Sequence, residues 1–405
     1  MNDERAAEDR VDPGSTVSIA VDPDADRGEL GGAVDELRDA TVVGLGVATH
    51  GTRECFAVTD RLLRALVDRG AVRTLAIETD PAAAGALDDY VARAEGDATA
   101  ALAALDDWKW STEAVANALT WLREFNEGRS PEDRVHVRGV DVVSPAAAAE
   151  RLLAVLDEVD RDTLAAVRPT LIDLVDGEHR MDVDAIPRAR MDAAAAAANE
   201  IRDRVDETRE GVDRVIHLCD ALERSHEWYD AVVDLPERPH PDGMAVRDRV
   251  MAANARDLAA DGGVALWAHA GHVQRGEFDD GTIWGDAETM GERLDEALGE
   301  GYRAVGTDTT GGGVRALDPH ADSDRQDCAF DLHDLPEATL ADDVDPEAAA
   351  VVDLDRDDDR RLRTRYVGSV YNPEADPGTY VLETSPSAFD AVVCLGETGA
   401  ATRIE

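Results

Sequence analysis

The sequence predicts an α/β fold: a largely parallel β-sheet core flanked by helices, with an all-helical insertion capping an active-site cleft. Three observations predict it. Short β-branched or apolar runs alternate with segments of helical spacing, the pattern of βαβ units. Strand signals stop between Pro145 and about Tyr229, where Ala-, Leu-, Val- and Arg-rich segments such as MDAAAAAANEIRDRVDE replace them. Four of the strand-like runs end in a histidine or an acid, and parallel α/β sheets gather their sites at strand carboxyl ends.

Taken in order, residues 1–16 are charged and aperiodic, and are expected to form a disordered acidic tail. Residues 17–145 are expected to be the first part of the α/β core. Within them Thr41–Leu45 (TVVGL) reads as a buried strand, Gly46–Thr52 as a loop, and Arg53 to about Arg69 as a helix with apolar positions at Phe56, Leu62, Leu63, Leu66 and Val67. Thr74–Glu78 (TLAIE) is a second strand ending in an acid. Pro81–Arg93, Ala98–Leu105 and Thr112–Glu127 are helical, the last closed by Asn126-Glu-Gly128. Val135–Asp141 is a third strand, again ending in an acid. Residues 146–240 are expected to be the helical insertion, closing on a Pro236–Gly243 linker. Residues 241–405 are expected to complete the core: a helix over Met244–Leu258, a strand Val264–Ala268 ending in His269-Ala-Gly-His272, a helix over Met290–Leu298, and a fifth strand Tyr302–Gly306. The stretch from about Asp318 to Asp359 reads as acidic and irregular. A final unit joins YVGSVYNP to a strand over Phe389–Cys394.

Composition bounds the function. The 405 residues carry 88 Asp plus Glu against 41 Lys plus Arg, a formal net charge of −47, and Lys109 is the single lysine. Such self-repulsion opposes compaction at low salt and is screened at molar salt, where the Debye length is about 3 Å. The acid is spread along the chain, which points to a salt-rich, halophilic cytoplasm rather than to one basic partner. Nucleic acid and anionic membrane are disfavoured as partners. The four cysteines, Cys55, Cys219, Cys328 and Cys394, form no CxxC pair and imply no disulfide framework. With no signal-peptide pattern and no long apolar run, the expected location is cytoplasmic.

The chemistry-bearing residues sit at the strand ends. His50, in GLGVATHGTRE, is placed for general-base work; taken alone, a histidine there is an ordinary polar loop residue. Glu78 could orient it, or simply begin the next helix. His269 and His272, at i and i+3 after a strand, suit two imidazoles converging on a substrate or a metal, or one buried and one exposed histidine. A divalent metal would draw on His50, Glu78 and His269. Arg53, Arg247 and Arg275 could anchor a substrate, though among so many acids each reads more simply as an ion-pair partner. Trp108-Lys109-Trp110 could line a pocket wall or merely pack. The sequence has no G-x-S-x-G elbow, Walker A motif, G-x-G-x-x-G after a strand, or H-E-x-x-H. The Gly-rich GTDTTGGGVRA is a weak phosphate-site candidate because no helix follows it.

An ordered set of segments resembles the erythromycin esterase family: VVGLGVATHGTRECF, LAIETD, WKWSTEAVANALTWLREFN, VRGVDVVSP, RDRVMAANARDL, LWAHAGHVQRG, MGERL and YRAVGTDTTGGGVRA, with weaker matches in RYVGSVYNP and FDAVVCLGET. The resemblance spans about Thr41 to Thr398. It implies hydrolysis of a small-molecule ester or lactone by water activated at a histidine, without a covalent serine intermediate. It would make His50 the base, with Glu78 assisting and His269 or His272 binding substrate or stabilising charge; Arg53, Glu54, Trp108, Asp141 and Arg247 would line the substrate site. The alternatives are a catalytically weakened small-molecule-binding homologue and a metal-dependent hydrolase on the same scaffold. Three positions depart from the family pattern: Val47 replaces a glutamate, Thr59 a cation, and Ala270 a side-chain amide. Loss of one preorganised catalytic group can cost about 10²–10³ in rate.

Overall fold

The computed structural model describes residues 16–404 except 106, 143–144, 176–185, 207, 210, 235–239, 277–284, 286, 322–326, 344–348 and 359–360. The acidic tail expected over 1–16 lies outside the described residues but for its last, Thr16, which opens strand β1 (Thr16–Ile19).

The sheet is nine-stranded and mostly parallel. Its other strands are β2 (Val42–Val47), β3 (Thr74–Ile77), β4 (His136–Gly139), β5 (Val264–His269), β6 (Tyr302–Leu317), β7 (Asp327–Asp331), β8 (Ala349–Asp353) and β11 (Ala391–Thr398). The order is β1-β8-β11-β6-β2-β5-β3-β4, with β7 paired to β6. Strands β11, β6, β2, β5, β3 and β4 run parallel; β8 and β1 add antiparallel at one edge. β9 (Leu362–Arg365) and β10 (Val381–Thr384) form a separate hairpin.

The central strands are buried on both faces, so they read as apolar runs rather than as alternation. Val43, Leu45, Leu75, Ile77 and Trp267 share one core with helices α1 (Gly31–Leu37), α2 (Arg53–Asp68), α3 (Gly85–Arg93), α4 (Ala98–Ala103) and α5 (Glu113–Asn126). Two of these helices are capped as their sequences specify. Asp97 accepts from Ala100 N–H at 2.9 Å, and Thr112 from Val115 N–H at 3.3 Å. The facing core joins Val42, Ala76, Leu266, Ala304 and Val392 to α10 (Pro241–Leu258), α11 (Ala270–Val273) and α12 (Met290–Leu298).

Between β4 and α10 run four helices, α6 (Pro145–Val159), α7 (Arg161–Val175), α8 (Arg188–Arg204) and α9 (Val212–Val232). Their apolar stripes close on a core of their own, with Leu152, Leu171, Ile201, Val215 and Leu222 all buried. Ala82, in the loop after β3, is buried in that core, which ties these helices to the segment that follows Glu78. Part of the expected Pro236–Gly243 linker, 236–239, lies outside the described residues, and Pro241 already opens α10, where proline is tolerated in the first turn.

Two expectations need correction. The fifth strand, expected over Tyr302–Gly306, does not end there: β6 is 16 residues long and runs straight through the Gly-rich GTDTTGGGVRA, pairing with β11 as far as Gly312 and then with β7. The glycines let neighbouring backbones close in, and a Cβ on Gly312 (φ +98°) would overlap the Thr398 backbone. The acidic stretch 318–359 is not wholly irregular either. It contains β7 and β8, and Ala349-Ala-Val-Val352 is fully buried between β1 and β11. The flanking acids hide a five-residue run too short to show a period. Among the described residues no helix is long and apolar enough to cross a membrane.

Candidate active site

Strand order builds the site. β5 enters the sheet between β2 and β3, so the chain reverses direction around it and the carboxyl ends of β2, β5, β3 and β4 stand side by side. Val47 is level with His269 across the β2–β5 pair, and Ile77 is level with Trp267 and Gly139. His50, His269, Glu78 and Asp141 therefore emerge next to one another, although 219 positions separate the first from the second.

The His50 loop is held from behind. Ala48 N–H donates to Thr307 Oγ1 at 2.8 Å, and Ala48 O accepts from Val367 N–H at 2.9 Å. Gly51 O accepts from Arg315 N–H (2.9 Å) and Ala401 N–H (2.8 Å). A Cβ at Gly51 would overlap the Arg315 carbonyl, so glycine is required beside the histidine.

His50 is 3% exposed, and its Nε2 lies 3.7 Å from Glu78 Oε2. Its Nδ1 has no hydrogen-bond partner among the described residues. The ring stands edge-on to Trp110 at 6.4 Å and tilted against His269 at 5.0 Å. Burial pushes the imidazole well below its ordinary pKa, and Glu78 only partly opposes this. His50 is therefore neutral at pH 7.

Glu78 is the hub. Oε2 accepts the His269 backbone N–H at 2.8 Å and Oε1 accepts Arg247 Nη2–H at 2.9 Å, while His272 Nε2 stands 3.7 Å from Oε1. Trp110 Nε1–H donates to the Glu78 carbonyl at 3.0 Å. Burial alone would raise this carboxyl, but His50, His272, Arg247 and Lys109 outweigh it and hold it well below the usual range. Asp141 is treated likewise: burial opposes ionisation, and Arg247 more than offsets it. Arg247 donates Nε–H to Asp141 Oδ1 (2.8 Å) and Nη2–H to Oδ2 (2.5 Å), so its guanidinium spans both carboxylates.

The two histidines of AHAGH differ in role. His269 accepts Gly271 N–H at Nδ1 (3.2 Å) and donates Nε2–H to the Val367 carbonyl (3.1 Å), so both ring nitrogens are committed. Burial lowers its pKa to about 4. His272 is bound through Nδ1 to the buried Asp248. Arg247 and Asp248, adjacent on α10, thus hold two parts of the site, the carboxylates of Glu78 and Asp141 and the ring of His272. Asn254, two turns on, donates to Val140 O at 2.7 Å and locks α10 to the end of β4.

A divalent cation does not fit this set. His269 spends its Nδ1 lone pair on Gly271 N–H, each Glu78 oxygen already accepts an N–H, and among the described residues no three His, Cys, Asp or Glu side chains converge as a metal site.

The other expected residues fall in different places. Trp108 is half-buried in the turn before Trp110. Arg53 is largely exposed, pairs with Glu54 and lies against Gly399, and Glu54 Oε2 accepts the Gly399 N–H at 2.7 Å. Both point to the end of β11, because the first turn of α2 faces that strand, and not to the His50–Glu78 pair. Arg275 is buried near the amino ends of β6 and β11, where it pairs with Asp295 and Asp390. It is a structural ion pair. The three departures from the family pattern are all buried in packing: Val47 and Thr59 on the α2 side, and Ala270 against Gly46. Sequence reasoning missed Asp248 and Tyr366 as site residues, and named Lys109 and Trp110 only as part of a run that could line a pocket wall. Tyr366 lies edge-on to His269 at 4.7 Å, and burial pushes its hydroxyl pKa up, with Glu78 and Asp248 adding to the effect. Only Lys109 carried a signal of its own, as the single lysine.

The chain matches the model of the erythromycin esterase family over residues 67–398. Its fold is similar to the crystal structure of a protein from Bacillus cereus (TM-score 0.80, 18% identity, all of both chains covered). It is also similar to that of a succinoglycan biosynthesis protein (TM-score 0.78, 16% identity, 99% of this chain and 98% of that one). A third likeness is to a histidine-to-asparagine mutant of the erythromycin esterase EreC in its open conformation (TM-score 0.71, 18% identity, 95% and 98% covered). At these identities the structures speak for the fold, while the family match covers most of the sequence. A mostly parallel sheet flanked by helices, with conjoined histidines and carboxylates at its strand ends, is thus accompanied by a family assignment of its own: this chain belongs to the erythromycin esterase family.

Proposed function

We propose that this chain is an ester or lactone hydrolase in which water is activated at His50 Nδ1. One observation carries the reading: His50 turns Nε2 toward an ionised Glu78 and leaves a buried Nδ1 without a partner among the described residues. Glu78 favours the tautomer with hydrogen on Nε2, so the Nδ1 lone pair is the basic one. Water gives its proton to Nδ1 as its oxygen adds to the acyl carbon. The resulting imidazolium is stabilised across Nε2–H by Glu78, and its proton then passes to the departing alkoxide. His50 lies before the family-matched segment, so this role rests on geometry.

A catalytically weakened homologue that still binds a small molecule is the competing reading. Val47 favours it, because this fully buried side chain can neither take nor relay a proton beside the site. The test is turnover of a panel of aryl esters and lactones at molar potassium chloride. Wild type is expected to turn over, and His50→Ala to lose about 10²–10⁴ in rate. Equal rates for the two proteins would remove His50 from the mechanism. A silent wild type that still binds an ester would favour the binding reading.

A further inference from the structure

Position 109 holds the only lysine among 405 residues, in a chain that otherwise uses arginine for every side-chain cation of this length. It sits in the turn before α5. The neighbouring Trp110 is bonded to the Glu78 carbonyl and stacked edge-on to His50, which fixes this turn against the pair. Lys109 N–H donates to Asp107 Oδ1 at 3.1 Å, and Nζ pairs with Asp107 Oδ2 at 3.3 Å. The side chain is 15% exposed.

The other cationic and imidazole groups of the site are each anchored to an acid or a backbone group within it. Arg247 spans Asp141 and Glu78, His269 has used both nitrogens, and His272 is bound to Asp248. An ammonium has three N–H donors, and among the described residues Lys109 gives one to Asp107. An arginine here would engage Asp107 through its planar fork, as Arg247 engages Asp141; lysine is a compact charge on a flexible stem whose remaining donors can turn to a ligand. The ammonium also influences the ionisation of His50, Glu78 and Asp141, and Asp107 and Glu78 keep it charged against burial.

We infer that the Lys109 ammonium contacts the carbonyl oxygen of the bound acyl group and neutralises the oxyanion formed when His50-activated water adds to it. The inference rests on the hydrolase reading. As the water oxygen bonds to the acyl carbon, the carbonyl π pair moves onto the oxygen facing Lys109. When the tetrahedral species collapses, that pair re-forms the carbonyl and the C–O bond breaks. The alkoxide takes its electrons and the proton held by His50. Lys109 remains protonated throughout.

Because the lysine is unique, its amine can be observed alone. Reductive methylation of the full-length protein with ¹³C-formaldehyde labels Lys109 and the chain's α-amine, and the dimethylamine keeps its charge. A tetrahedral methylphosphonate aryl ester serves as the probe. Its binding is expected to shift the Lys109 signal and slow methylation of the unlabelled protein, leaving the α-amine unchanged. In turnover, Lys109→Gln is expected to lower kcat about 10²–10³ with KM within a few-fold, and Lys109→Arg to recover part of the loss. A Lys109 signal indifferent to saturating phosphonate, or a Lys109→Gln protein with wild-type kcat, overturns the inference and leaves the hydrolase reading standing. A wild type silent on every ester removes that reading instead. The phosphonate titration then decides the Lys109 contact by itself.

Discussion

His50 Nε2 lies 3.7 Å from Glu78 Oε2, with both side chains buried and the second oxygen of Glu78 held by Arg247. The pair links the basicity of one residue to the charge of the other.

Glu78→Gln removes the carboxylate that raises the His50 pKa against burial. The imidazole should become still harder to protonate, so the acid limb of the kcat/KM profile moves to lower pH. The rate at the plateau should fall about 10²–10³, because the imidazolium formed in the transition state loses its counter-charge. An unmoved acid limb in the variant would separate Glu78 from His50.

Arg247→Met leaves Glu78 and Asp141 buried without their shared cation. Breaking such a network from one side costs about 3–5 kcal/mol, measurable by urea unfolding at pH 7. In the variant, burial raises both carboxyls above their unfolded values. The folded state then takes up protons the unfolded state lacks, so its deficit against wild type should shrink as pH falls from 7 toward 5. Arg247→Met with Asp141→Asn should cost less than the sum of the single changes.

Wild-type stability should fall as pH drops from about 6.5 to about 4. The folded-state pKa of His269 is about 4 against a reference of 6.5, so over that window the unfolded chain binds a proton the folded chain refuses. The stability is present above the unfolded pKa and lost toward the folded one, about 3 kcal/mol for this residue. His50 acts in the same direction. Glu78 and Asp141, both lowered, add their own loss below about 4.5. Urea midpoints at pH 7.5, 6 and 5 that do not change would contradict the neutral, buried state of these histidines.

Chelation is expected to leave ester turnover and the thermal midpoint unchanged. The ring nitrogens of His269 are used within the fold and the Glu78 oxygens by donors. Dialysis against EDTA followed by turnover at molar salt checks this. Loss of activity restored by one added divalent cation would require these side chains to rearrange around it.

Much of the site was legible as a list. His50, Glu78, Asp141, His269 and His272 could be named because each follows a short apolar run, and a parallel sheet delivers such residues to one edge. Lys109, Asp248 and Tyr366 could not be assigned a role in this way. They reach the site from a turn, a helix and a β9-adjacent segment, where period and strand end give no address. β8 escaped notice for a related reason: its apolar run is five residues long among acids, and its burial comes from strands nearly 40 residues on one side and more than 300 on the other.

By itself, the sequence determined the alternation of strands and helices, the helical stretch after Pro145, the family, and which residues stand at the strand ends. These follow from local periodicity and residue chemistry. Tertiary structure alone decided that β5 enters between β2 and β3, that Arg247 is consumed by two carboxylates, that Arg53 faces away, and that both nitrogens of His269 are occupied. Hydrogen-bond donors and acceptors are allotted only when segments distant in sequence meet in the folded chain. The Nδ1 of His50, without a partner among the described residues, is what that allotment leaves over.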